Sequence, residues 1–140
     1  MPDFKGAPHQ QAALPWRRAA DGSVEVLLIT SRETRRWVIP KGWPMIGLHA
    51  AQAAAQEAYE EAGVRGQVSP LAIGSFTYDK VGKLDGVRRL TVFVFPLEVT
   101  DELEDWPERH ERERRWLPAR EAAPLVNEPE LQALIAAFSP

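Results

Sequence analysis

Residues 42–64 read GWPMIGLHAAQAAAQEAYEEAGV, and this stretch decides how the chain is read. From about His49 to Ala62 it is rich in alanine, the best helix former, which predicts a helix. Gly63 stands where a left-handed residue ends a helix, and Val64 supplies the apolar contact that follows. No Ser, Thr, Asp or Asn occupies a good N-cap, so the start is less sharply marked than the end. On a helix turning ~100° per residue, Glu57, Glu60 and Glu61 fall at about 0°, 300° and 40°, on one face. Ala51, Ala55, Ala58 and Ala62 form a different stripe, small enough to press closely against a sheet.

A run of charge is ordinarily a solvated face, but two features weigh against that here. Like charges at i, i+4 repel, and no Lys or Arg lies between His49 and Val64 to offset them. The acids also stand at the C-terminal end of the helix, where the macrodipole disfavours negative charge. A hard divalent cation resolves both, and oxygen ligands suit magnesium or manganese. Just upstream, Gly42 lets the backbone pass close to a ligand, with Lys41 beside it.

Outward from this stretch, Gln11 to Arg18 and Val24 to Thr30 read as two strands joined around Asp21-Gly22. Trp37-Val38-Ile39 is a short apolar piece stopped by Pro40, and Lys41-Gly42 opens a loop through Pro44 and Gly47. Strands are expected at Val64 to Ser69, Leu71 to Tyr78 and Arg89 to Val99, with Gly82 and Asp85-Gly86 marking the last turn. A short Trp116-Leu117 strand and helices near Arg120 to Val126 and Glu128 to Phe138 complete the chain. Mixed strands with few helices predict an α+β fold, an α/β/α sandwich.

The 140 residues suit one domain, with 1–8 as a loose leader; 44% are hydrophobic and 26% charged, a globular balance. A formal net charge of −3 gives no sign of nucleic-acid binding, so a polyanionic substrate needs local positive charge or metal. With no cysteine, disulfides, thiol catalysis and cysteine-ligated metal are all excluded. No signal peptide is visible and no apolar run approaches a membrane span, so a cytoplasmic location is expected. Arg32, Arg35, Arg36, Lys41, Arg88 and Arg89 are the candidate phosphate-binding cations, while His9, His49 and His110 are scattered and given no chemical role. Nothing in the sequence fixes the oligomeric state.

Taken together, Gly42 through Val64 resembles the Nudix box, a 23-residue pattern G-x5-E-x7-R-E-U-x-E-E-x-G-U with U apolar. Gly42, Glu57, Ala58, Glu60, Glu61, Gly63 and Val64 match without insertion or deletion, while Leu48 replaces the first glutamate and Gln56 the arginine. The resemblance implies the Nudix sandwich with a mixed central sheet, Mg2+ or Mn2+ held by Glu57, Glu60 and Glu61, and hydrolysis of a phosphoanhydride. A base is then sought among Glu57, Glu60, Glu102 and Glu104. In the family the arginine orients a metal-binding glutamate; Gln56 can donate a hydrogen bond but has no charge. The stretch Ser31-Arg32 through Arg36-Trp37-Val38-Ile39-Pro40, TDELEDW at 100–106 and RERRWL at 112–117 are similar to the diphosphoinositol polyphosphate and dinucleoside polyphosphate branch. That likeness implies phosphate contacts from Ser31, Arg32, Arg88 and Arg89, with Lys41 and Gly42 positioning metal and phosphate. The basic residues that open the first strand in that branch are His9, Gln10 and Gln11 here. Lys80 stands where ADP-ribose hydrolases of the family tend to carry proline.

Overall fold

The computed structural model describes residues 8–82, 84 and 86–140, so most of the expected leader and Asp85 of the expected turn lie outside the described residues. Eight strands form one sheet: β1 (His9–Arg18), β2 (Val24–Thr30), β3 (Trp37–Val38), β4 (Lys41–Gly42), β5 (Val64–Val68), β6 (Gly74–Gly82), β7 (Gly86–Glu102) and β8 (Arg114–Pro118). Their order is β3-β2-β1-β7-β5, with β4 pairing β1, β6 pairing β7 and β8 pairing β2. The sheet is mixed because β1 runs parallel to β7, from His9↔Thr91 to Trp16↔Glu98, while its other pairings are antiparallel.

Along β2 the run Val26-Leu27-Leu28-Ile29 is buried throughout, as expected for a strand covered on both faces. Val26 and Leu28 join Leu14, Phe76, Val92, Val94, Leu131 and Ile135 on one face, under α2 (Ala119–Ala122) and α3 (Pro129–Ala137). Leu27 and Ile29 join Ala13, Phe95 and Leu97 on the other, under Ala51, Ala54, Ala58 and Ala62 of the box helix. The α+β sandwich is therefore present, and the expected small-residue stripe is what lets the helix lie on the sheet.

The box helix is α1 (Ala50–Glu57) continued by a π-helical turn, Ala58–Ala62. His49 is the N-cap although it is not a favoured type, and Gln52 supplies the missing bond: its Oε1 accepts the His49 N–H at 2.9 Å. Gly63 ends the helix at φ +67, with its N–H donating to Tyr59 O at 3.1 Å. Elsewhere the expected strand from Leu71 starts instead at Gly74, and β7 runs three residues beyond each expected end, to Gly86 and Glu102. Lys41-Gly42, expected as loop, pairs with Gln11-Ala12 as a two-residue strand, too short to leave a periodic signal. Pro124 divides the expected helix at 120–126 into α2 and a 3-10 turn, since its ring cannot continue an α-helix.

The two outlying segments close around the helix end. Arg114 Nη1 donates to Ala62 O at 2.9 Å, and its guanidinium lies 4.0 Å from the centre of the Trp106 ring. Trp106 Nε1 donates in turn to Glu61 O at 3.2 Å. A cation here satisfies orphan carbonyls and opposes the helix dipole. A Cβ on Gly63 would collide with Trp106, and an L-residue at this φ costs about 1–2 kcal/mol by itself. Gly63→Ala is therefore expected to lower the unfolding free energy by at least about 2 kcal/mol in denaturant titration; an unchanged midpoint would show that the helix end is not clamped.

Candidate active site

The acidic face of the box helix is not solvated. It forms one wall of a cleft of about 800 Å³ that is also lined by Ser31, Arg32, Arg36, Lys41 and Gly42. Glu61 is only 8% exposed, and Glu57 and Glu60 are half-buried. The i→i+5 bonding of the last turn takes more residues per turn than 3.6, so Glu61 returns more nearly over Glu57 than an α-helix would place it. Hydrogen bonding between the two carboxyls raises Glu61 and lowers Glu57. Burial first, then that bond, pushes the Glu61 carboxyl up to about 9 against the pull of the Arg112 charge. Burial also lifts Glu57.

Three contacts fix this pair. Arg112 Nη2 stands 3.6 Å from Glu61 Oε1, while its Nε is bound to Glu108 at 2.8 Å and its Nη1 donates to Thr30 O. The Lys41 N–H makes a long 3.4 Å bond to Glu61. Gly42 passes directly against the Glu57 carboxylate, where any Cβ would overlap the Oε atoms. Glu60 accepts from Gln56 Nε2 at 2.9 Å, so the residue replacing the family arginine does orient a box glutamate.

Of the other expected site residues, Lys41 extends over the Tyr78 ring at 4.9 Å, and burial lowers its ammonium despite the nearby Glu61 charge. Ser31 Oγ lies 2.6 Å from Thr34 Oγ1 and accepts the Arg36 N–H, closing the loop that carries Arg32. Arg32 reaches Glu111 at 3.4 Å, and chiefly the Glu108 charge raises its guanidinium. Arg36 lies 3.1 Å from Glu128, whereas Arg35 at φ +57 points to Glu111 O, away from the cleft.

Arg88 and Arg89 take different partners. Adjacent strand residues face opposite ways. Arg88 lies 5.8 Å from the Trp43 ring at the cleft mouth, and Arg89 is bound to Asp79 at 3.2 Å. Glu102 is held by Arg17, Arg114 and Trp116, and neither it nor Glu104 lines the cleft. Glu108 lines it instead, as do Trp43, Tyr78 and Arg112, none of them assigned from sequence. The i, i+4 spacing of Glu108 and Arg112 was the available signal for that pair.

Among the described residues, no three acidic or imidazole side chains already converge as a metal cage. The donor set nonetheless fits a hard cation: Glu57 and Glu61 bring carboxyl oxygens together in a desolvated cleft wall, the donor type a divalent ion prefers.

Comparison with known proteins identifies the family. The NUDIX domain family matches residues 8–138. The chain belongs to the Nudix family. It is 37% identical over 121 residues to "Nudix hydrolase 12, mitochondrial" of Arabidopsis thaliana, covering 82% of this chain and 58% of that protein. It is 33% identical over 126 residues to "Diphosphoinositol polyphosphate phosphohydrolase 3-alpha" of Mus musculus, covering 89% and 72%. This Nudix chain thus spans less than two thirds of the plant relative's length. A C. elegans Ap4A hydrolase binary complex superposes with a TM-score of 0.70 at 22% identity, covering 93% of each chain, which shows the shared fold. No described helix is long and apolar enough to cross a membrane. The expected cytoplasmic location gains nothing from the plant relative, whose name is mitochondrial.

The Glu61 proton has a measurable consequence. Its folded value near 9 lies above the unfolded 4.5, so in metal-free protein the folded state keeps a proton that the unfolded chain loses as pH rises between them. Stability therefore falls with rising pH through that window. Glu61→Gln is expected to flatten the fall and to melt above the parent protein near about pH 8 in chelator. Equal slopes in calorimetry would show that Glu61 does not carry the proton.

Proposed function

We propose that this Nudix protein hydrolyses a phosphoanhydride bond in a nucleoside-diphosphate-linked or polyphosphorylated small molecule, using Mg2+ or Mn2+. The observation that carries the reading is a cleft with Glu57, Glu60 and Glu61 on one wall and Arg32, Arg36 and Lys41 on another. The glutamates would hold the cation, which when bound supplies positive charge against the anhydride oxygens as charge passes to the leaving phosphate. Arg32, Arg36 and Lys41 bind and orient the phosphate chain, the arginines through their planar fork. Gly42 keeps the loop close enough to Glu57 for its carboxylate to face the phosphates. Glu60 lines the cleft outside the Glu57–Glu61 pair and is the proposed acceptor of the water proton.

Two substrate types fit, dinucleoside polyphosphates and diphosphoinositol polyphosphates, and the cleft mouth favours the first. Trp43 is 40% exposed there, with Lys80 at 6.0 Å and Arg88 at 5.8 Å from its ring. An exposed indole between two cations suits a ligand with an aromatic base and a phosphate chain. The second reading, a ligand-binding Nudix domain without turnover, rests on Leu48 and Gln56.

Chromatography of the products from diadenosine polyphosphates, a diphosphoinositol polyphosphate, ADP-ribose and nucleoside triphosphates, with metal and with chelator, tests the reading. Turnover is expected for the diadenosine compounds with metal alone; undiminished turnover after exhaustive chelation, or none on any substrate, would refute it. Glu61→Gln should lower kcat by at least about a hundredfold, roughly 2.7 kcal/mol of transition-state stabilisation. Arg88→Ala should raise KM for longer polyphosphates more than for short ones, and Arg89→Ala should not. Equal effects of the two substitutions would mean that strand alternation does not separate their roles.

A further inference from the structure

A second cavity, of about 740 Å³, lies between the first turn of α1 and the segment joining β5 to β6, away from the acidic end of the same helix. Its volume is in the range of small-molecule sites. Phe93 and Phe95, two residues apart on β7, offer aromatic faces to it, and Ala51 and Val68 add apolar wall. Leu71 and Ala72, both exposed, form its lip.

Of the polar side chains that also line it, His9, Gln11, His49 and Gln52, Gln11 is in an unusual state. Gln11 is 3% exposed and lines the cavity, and its Oε1 is buried with no hydrogen-bond partner. Buried acceptors are almost always paired, because leaving one bare forfeits the bond that water gave it. The neighbouring Gln10 shows the satisfied case: it faces the catalytic cleft, and its Oε1 accepts from Tyr78 at 2.7 Å. β1 thus presents consecutive carboxamides to opposite sides of the sheet, one satisfied within the protein and one not.

We propose that this cavity is a second ligand site, for a flat, largely apolar aromatic molecule whose single N–H or O–H donates to Gln11 Oε1. Phe93 and Phe95 supply apolar contact, and no Lys or Arg stands among the described lining residues to pair a phosphate, so the phosphorylated substrates of the cleft are disfavoured. The site is independent of the chemistry assigned to the cleft.

Indole, 2-naphthol and naphthalene serve as probes, the last lacking a donor. Calorimetric titration with protein-observed NMR should show 1:1 saturable binding of indole and 2-naphthol, with shifts at Gln11, Phe93 and Phe95 and none at Glu57 or Glu61. Gln11→Leu, which removes the acceptor and keeps the bulk, should weaken indole and 2-naphthol at least fivefold while naphthalene binds as well or better. Its melting temperature should match or exceed the parent's, since a bare acceptor is gone. Ala72→Trp at the exposed lip should abolish binding of all three. Absence of saturable binding, shifts centred on the glutamates, or indole affinity indifferent to Gln11→Leu would each overturn the proposal. So would a dimer in light scattering that Ala72→Trp dissociates, because a second copy would then be what covers the cavity.

Discussion

Two carboxyls that repel each other when both are charged are held together at the end of the box helix, and much of the surrounding architecture serves to keep them there. Glu57 and Glu61 occupy a desolvated cleft wall, where burial raises both carboxyls. An arrangement of this kind costs stability unless its neighbours compensate. Arg112 brings positive charge to Glu61, the Lys41 N–H adds a bond, and Gly42 leaves room for the Glu57 carboxylate. The widened last turn, closed by Gly63, stacks the two acids. π-Turns concentrate at functional sites for such reasons, since they re-aim a side chain at the expense of regular bonding.

The segments outside the box, read from sequence as marks of a substrate branch, also have a mechanical task. Trp106 and Arg114 bind the carbonyls at the end of the π-turn, the Glu108 N–H binds Glu60 O at 3.0 Å, and Arg112 reaches the Glu61 carboxyl. The chain from 100 to 117 therefore holds the acidic helix end in place as well as bounding the cleft.

What was legible in sequence follows from the range of the interactions involved. The helix, its stop at Gly63 and the shared face of the three glutamates are local, and a fixed 23-residue spacing exposed them. The two-sided burial of β2 shows in its unbroken apolar run. β4 was not legible, because two residues carry no periodicity and only their pairing with β1 makes them a strand. Nor was the role of Arg112, some fifty residues from Glu61 in sequence but 3.6 Å away in space. Arg88 and Arg89 looked like one basic pair because adjacency in sequence conceals the strand's alternation. Glu102 looked available as a base until its partners Arg17, Arg114 and Trp116 were seen.

The parallel pairing of β1 with β7 has a consequence for how the molecule assembles. The sheet's centre joins residues about eighty positions apart in the chain. Closing so long a loop carries an entropic cost before any contact repays it, so folding through this pairing is slow for a chain of this size. During synthesis, β1 leaves the ribosome long before its parallel partner exists. Until then its apolar run from Ala12 to Leu14 has only the antiparallel β2 and the short β4 to cover it. The native sheet is completed late, and an exposed strand edge at this stage is the part of the chain most open to wrong partners.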